Sequence, residues 1–370
     1  NSMLTSLAFR SPIGLKNVID GFTRAATMVG KQVEVRNLAV DSLSRTLPPF
    51  SLDVDASGRG LLQFALSPSQ MNLDTLTLRL SNDSLLRGNI AALNFTSPSI
   101  NLDTLTLNLQ ERGNLLDYKL HLGNRPGTLD EFARVNLNGY VGNNRASAYL
   151  NQWNAQGEQG YRIGLTAALV DSVVSAHITP LKSTIAYMPW TFNNDNFLEY
   201  NMHSSRIEAN LKAQSAESSI LAKTQNNAEG NEELLLNIDN LHIQDFLRMW
   251  ALAPDMKGDL NADMHITYGE RRFKGSGTLG LNNFVYEKTR IGNFDLDLDA
   301  AYGLDSSTDV TASMRINGKR AISAYANLVQ GDDGLRPDSV GVSLTRFPLN
   351  IANPFLGQSV VLGGYLNGDM

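Results

Sequence analysis

Residues able to do chemistry are plentiful in this chain but poorly spaced for it. "GSGTLG" at 275–280 matches the G-x-G-x-x-G of dinucleotide sites, a motif that needs a buried strand before it and a helix after it. Here it sits inside "RRFKGSGTLGLNNFVYE", which alternates as a strand and leads into another. Its glycines are expected to relieve crowding on a sheet face or to let the strand bend. "DLDLD" at 295–299 opens like a calcium loop, but the sixth and twelfth positions, which require Gly and Glu, hold Ala300 and Ser306. Alternation on a strand instead puts its three carboxylates on the wet face. His121, His177, His203, His242 and His265 lie far apart, with no H-x-x-x-H or H-E-x-x-H among them, so metal-ligand spacing is absent. His121 alternates with Asp117 and Lys119 and is expected at the surface. There is no cysteine and no G-x-S-x-G elbow, and no carboxylate pair is singled out for acid–base work. The sequons "NDS" (82–84) and "NFT" (94–96) arise by chance in so Asn-rich a chain. In "YMPWTFNNDNFLEY" (187–200), Trp190 and Tyr200 could stack on sugars; a buried turn that closes a sheet explains the same aromatics through packing area. Neither an enzyme, a metal nor a cofactor is expected.

Composition narrows the classes further. The 370 residues are 42% hydrophobic and 18% charged, which is the range of folded proteins. A net charge of −6, with basic residues scattered and only Arg271, Arg272 and Lys274 clustered, argues against a nucleic-acid partner. The lack of cysteine suits an oxidising compartment. No apolar run nears the ~20 residues of a membrane span, and "NSMLTSLAFRS" lacks the pattern of a signal peptide. The opening "NS" before Met3 and the abrupt "LNGDM" ending suggest an excised piece of something longer.

The elements that would position any site are strands. "DTLTLRL" (74–80) sets Leu76, Leu78 and Leu80 on one face and Thr75, Thr77 and Arg79 on the other; "DTLTLNL" (103–109) repeats this with Leu105, Leu107 and Leu109. The alternation continues through Leu116, Tyr118 and Leu120, then Ile163 and Leu165, Ile207 and Leu211, Leu260 and Met264, Leu279, Leu296 and Leu298, and Met314. Period two with Asn, Asp and Gly punctuation predicts more than a dozen antiparallel strands with one apolar face. Helix is predicted over 12–31, behind Pro12, and over 60–69 and 243–254, each halted by a proline, with a weaker copy at 350–357. "KGDLNADM" (257–264) and "GGYLNGDM" (363–370) share G-x-L-N-[A/G]-D-M. A line repeated this way points to a structural unit stacked on copies of itself, each built as strand, short helix, strand. The organisation expected is a helical segment at 1–35, a curled sheet over 36–230 and further sheet, continuous with it, over 231–370. The polar stretch 213–233 reads as hairpin turns within that sheet.

The unit L-x-I-x-x-L…F-L-x-x-W…P-x-x-x-G-x-L-N-A-D, together with "ITPLKSTIAYMPWTFNNDNFLEY" (178–200), resembles the TamB proteins of the Bacteroidetes-type envelope, within the wider AsmA-like group. The resemblance covers about residues 36 to 370. It implies an all-β fold, an elongated and strongly curled antiparallel sheet forming a taco-shaped groove with a few short helices. It further implies a periplasmic protein anchored in the inner membrane that moves phospholipid or another acyl-chain lipid toward the outer membrane, or assembles outer-membrane proteins with a β-barrel partner. The N-terminal anchor and the C-terminal part that would meet the barrel are missing from this sequence. The apolar residues named above, from Leu76 to Met314, would then bind lipid. The competing expectation is a secreted β-sandwich or β-solenoid that serves as an adhesin or glycan-binding module.

Overall fold

The computed structural model describes residues 6–34, 39–57, 67–83, 85–97, 101–124, 130–227, 230–247, 254–269, 272–287, 289–302, 307–331, 334–356 and 361–370. Strand makes up 70% of it and helix 13%, so the chain is all-β and antiparallel, as its alternation predicts. It divides into two compact units, Asn1–Met188 and Pro189–Met370.

The first unit is a meander of β1 (Ser6–Arg10), β2 (Phe50–Ser57), β3 (Thr75–Asn82), β4 (Leu86–Thr96), β5 (Asn101–Arg112), β6 (Leu115–Asn124), β7 (Arg134–Gly142), β8 (Arg145–Trp153), β9 (Gln159–Val170) and β10 (Val173–Ile185). Each strand pairs with the next. Two-residue turns such as Asn143–Asn144 and Asp171–Ser172 have positive φ at both positions, the geometry whose twist matches the flanking strands.

Helix α1 (Leu15–Glu34) matches the segment expected over 12–31. It buries Val18, Gly21 and Ala25. Gly21 is required there, because a Cβ would meet Pro48 at 2.9 Å. Helix α2 (Val40–Thr46) was not predicted, since "VDSLSRT" carries no apolar stripe. Polar clasps hold it in place: Asn82 Nδ2 donates to the Ser44 and Leu47 carbonyls at 2.9 and 3.1 Å. Ser44 Oγ in turn donates to Glu111 Oε1 at 2.8 Å.

In the second unit the strands are β11 (Met188–Phe192), β12 (Phe197–Asn201), β13 (Arg206–Gln214), β14 (Ser219–Asn226), β15 (Glu232–His242), β16 (Met256–Gly269), β17 (Arg272–Tyr286), β18 (Thr289–Tyr302), β19 (Ser307–Ile316), β20 (Lys319–Gly331), β21 (Gly334–Pro348) and β22 (Tyr365–Asp369). β11 and β12 both pair with β13, and from β13 onward each strand pairs with its successor. The described residues of 213–233 form β14 and the turns that flank it, as expected. Of the helix expected over 243–254, Ile243–Leu247 is helical (α3), while 248–253 lie outside the described residues. The weaker helix expected at 350–357 is a 3-10 helix, Leu349–Phe355. Most of the segment expected at 60–69 lies outside the described residues, and its end, Ser67–Ser69, is a 3-10 turn.

The repeated G-x-L-N-[A/G]-D-M line has a structural cause. β15 carries one extra residue between Ile238 and Leu241, and β21 carries one between Leu344 and Phe347. At each bulge a residue sits at left-handed φ, Asn240 at 50° and Arg346 at 49°. Its backbone N–H cannot join the regular ladder. The asparagine of the repeated line receives that N–H: Asn240 N donates to Asn261 Oδ1 at 2.9 Å, and Arg346 N to Asn367 Oδ1 at 2.7 Å. A third bulge, at Asn283 (φ 55°), is received by Asn293 Oδ1 at 2.8 Å. Asn261→Ala is therefore expected to cost the second unit about 1–2 kcal/mol in urea unfolding, the range for orphaning a partly buried donor. Asn261→Asp keeps the acceptor and is expected to lose less than half of that.

Candidate ligand-binding face

Residues directly opposite one another in an antiparallel pair share a face, so register decides where the sequence-predicted residues lie. In the first unit one row crosses nine strands: Leu7, Val54, Leu78, Ile90, Leu107, Leu120, Leu137, Leu150 and Ile163. Beside it, Leu76 and Leu105 flank Ala92, while Leu80 and Leu109 flank Gly88. Leu109 faces Tyr118, and Leu165 faces Ile178. Thr77, Thr106, His121, Asn136 and Asn151 occupy the opposite face. The register is the one the alternation predicts.

An equivalent row in the second unit joins Ala213, Ile220, Ile238, Ala262, Leu279, Leu296, Met314, Ile322 and Leu344. Its neighbour contains Leu211, Met264 and Leu298, with Leu260 following the β15 bulge and Ile207 preceding on β13. "GSGTLG" falls within β17, and Gly277 lies opposite Met264. A Cβ there would meet the Asp263 carbonyl at 2.6 Å and Met264 Cα at 2.9 Å. The glycine lets two strands carry a large side chain on a crowded face, which is the non-cofactor reading of the motif. Asp295 and Asp299 face away from Leu296 and Leu298, and Asp297 between them pairs with Arg315 at 2.6 Å. Among the described residues no cluster of three metal-ligating side chains forms.

None of the nineteen apolar residues singled out in the sequence is fully buried: eighteen are half-buried, and Leu165 is 45% exposed. Leucines facing a second packed sheet would be sealed from water. An apolar face without a second packed layer accounts for this partial burial.

Polar groups appear at the ends of the first unit's apolar rows. Glu111 is buried; it accepts from Ser44 and from the Leu86 N–H at 2.8 Å, so α2 closes that end through a satisfied carboxylate. Toward the other strand ends, buried Gln152 donates to the Glu131 carbonyl, and the Tyr187 hydroxyl donates to the Glu131 carboxylate. Tyr161, opposite Gln152, has its phenol pKa raised by burial. Midway, Tyr118 lies across Gly139 and donates to the Ser147 carbonyl at 2.8 Å. These networks went unseen in the sequence because Glu, Gln and Ser on a strand read as solvent-facing.

The opposite face is polar and charge-paired. Arg79 bridges Asp53 at 3.3 Å and Asp55 at 2.6 Å, and its hydrogen bond holds the Asp55 carboxyl below the ordinary range. His242 Nδ1 meets Asp259 at 2.7 Å and Nε2 meets Glu217 at 3.3 Å, with Asp245 of α3 also nearby. The Asp259 hydrogen bond, the largest cause, raises the His242 pKa. The stabilisation this supplies is full below the unfolded value of about 6.5 and is lost as pH rises through the folded pKa. Stability of the second unit is therefore expected to decline as pH rises from about 6.5, and His242→Asn should flatten that part of a Tm-versus-pH curve.

Trp190 is 2% exposed and Phe192 is buried, whereas Tyr200 is 42% exposed. The two rings proposed for sugar stacking are thus not presented together, and Trp190 packs inside the fold. No family model, curated protein sequence or solved structure matches the chain. The functional reading therefore rests on the geometry and on the sequence resemblance.

Proposed function

We propose that the apolar face binds acyl chains and that the chain is a periplasmic segment of a TamB-type envelope protein, carrying phospholipid between the inner and outer membranes. The observation behind this reading is the row of branched apolar side chains, uninterrupted across nine strands of the first unit and half-buried on eight of them, with Leu7 at its β1 end 70% exposed. At ~4.8 Å per strand, such a row extends roughly 38 Å. An acyl tail spans about half of a ~30 Å bilayer core and would touch three or four strands at once. Two tails of roughly 15 carbons cost on the order of 20 kcal/mol to move through water, at ~0.8 kcal/mol per CH₂. A continuous apolar surface removes most of that barrier, and it needs neither catalytic group nor cofactor. In the intact parent, the inner membrane and an outer-membrane β-barrel protein would be the partners at either end.

Photo-crosslinking tests the reading. Benzoylphenylalanine at Leu120 should label with phospholipid vesicles, while the same group at neighbouring Lys119, on the opposite face, should not. Equal labelling from both positions, or none at Leu120, would contradict a lipid-binding face.

A further inference from the structure

Gly277 and Gly280 both lie within β17, on opposite faces of the sheet, and packing explains only the first. Gly277 makes room for the strand that carries Met264. A Cβ on Gly280 would meet nothing closer than Asp295 Oδ1 at 3.7 Å and Asn261 Cβ at 3.9 Å. The backbone does not demand glycine there either. Gly280 has no left-handed φ, and the register runs through it unbroken, with Leu279, Gly280 and Leu281 opposite Leu296, Asp295 and Phe294. A glycine inside a strand costs stability. Where neither a break in register nor a close strand accounts for it, it marks a place that a ligand approaches.

Gly280 floors a cavity of 490 Å³ on the polar face of the second unit, within the roughly 300–1,000 Å³ of small-molecule sites. Its walls come from β15 to β19, and each of these strands is paired on both sides. Some of the lining groups are already engaged. Asn261 Oδ1 holds the Asn240 N–H, and Asp297 is held by Arg315 at 2.6 Å and by Ser313 at 3.1 Å. Others are not: Thr278, Asn282 and Asp295 line the cavity with no hydrogen bond or ion pair to a described residue. Asp263 beside them meets His265 at 3.2 Å through one oxygen.

We propose that this cavity binds an uncharged oligosaccharide. The open groups are two carboxylates, which only accept, and an amide and a hydroxyl, which both donate and accept. Adjacent hydroxyls of a sugar ring also donate and accept, so one ligand can serve all four. An ammonium or guanidinium group would satisfy the carboxylates alone and leave Thr278 and the Asn282 carbonyl unserved. An anionic ligand would meet Asp263 and Asp295 at like charge. Gly280 lets the ring lie against the strand itself, where any side chain would hold it off. The site uses the face opposite the apolar rows and does not depend on lipid binding.

The probe is an array of immobilised uncharged, acidic and amino-bearing oligosaccharides, read with the labelled full chain. Uncharged members are expected to be retained, and the best of them is then titrated in solution by calorimetry. Asp295→Asn keeps the shape, removes one charged acceptor and is expected to weaken binding about tenfold or more. Gly280→Val fills the floor with a side chain suited to a strand and is expected to abolish binding. Lys274→Ala, on the same face but outside the cavity, should bind as the parent does. Thermal unfolding checks each variant. The proposal is overturned if no uncharged oligosaccharide is retained, if only acidic or amino-bearing ones are, or if Asp295→Asn or a folded Gly280→Val binds as tightly as the parent. It is likewise overturned if Gly280→Val is as destabilising as Gly277→Val, since packing would then explain both glycines.

Discussion

Leu107→Asp is expected to strip bound phospholipid from the chain, whereas Thr106→Asp, one residue away, leaves it in place. Leu107 lies mid-row between Ile90 and Leu120, while Thr106 lies between Ala91 and His121 on the polar face. A carboxylate at 107 removes contact with about three methylenes, ~2 kcal/mol, or roughly a thirtyfold loss of affinity. It also draws water into the row or must protonate, since an unpaired charge on an apolar surface is costly. The substitution costs fold stability too, about 2–4 kcal/mol, as lost packing is added to that penalty. Thr106→Asp should change stability by no more than about 0.5 kcal/mol. Thermal unfolding of both variants separates the two effects. A folded Leu107→Asp protein that retains lipid would show that acyl chains do not lie against this strand.

The second large effect is expected at Gly277. Gly277→Val drives a Cβ into the Asp263 carbonyl and Met264 Cα, between strands whose ladder cannot part without losing hydrogen bonds. A loss of about 3 kcal/mol is expected, at the upper end for overpacking. Gly280→Ala, in the same "GSGTLG", serves as the control: the nearest atoms to its Cβ are Asp295 Oδ1 at 3.7 Å and Asn261 Cβ at 3.9 Å, ordinary contact distances. It should lie within about 0.5 kcal/mol of the parent in urea unfolding. Equal sensitivity at both glycines would contradict close strand approach as the role of Gly277.

The face was legible in the sequence because period two leaves little freedom: a slip of one residue would have placed Leu76, Leu78 and Leu107 on the polar face with Asp55 and His121. The bulges were written there as well, in a form that alternation alone does not decode. "LNIDNL", "LGLNNF" and "VSLTRF" each break the alternation by one residue, and each break falls at a left-handed residue, Asn240, Asn283 or Arg346. The reason an asparagine recurs in G-x-L-N-[A/G]-D-M could not be seen without cross-strand register, because its partner lies a helical turn and a strand earlier. Helix α2 was hidden for a different reason. Its anchorage comes from Asn82 and Glu111, residues of β3 and β5, so no local pattern announces it. Trp190 and Tyr200 look alike in sequence and differ in burial, which tertiary packing alone decides.

Native mass spectrometry of the purified chain, released from detergent-free buffer, bears most directly on the central claim that the apolar face holds acyl chains. Phospholipid-mass adducts are predicted on the parent and on Thr106→Asp, sharply reduced on a folded Leu107→Asp. A parent chain that arrives free of lipid and takes none up from phospholipid vesicles would contradict the account.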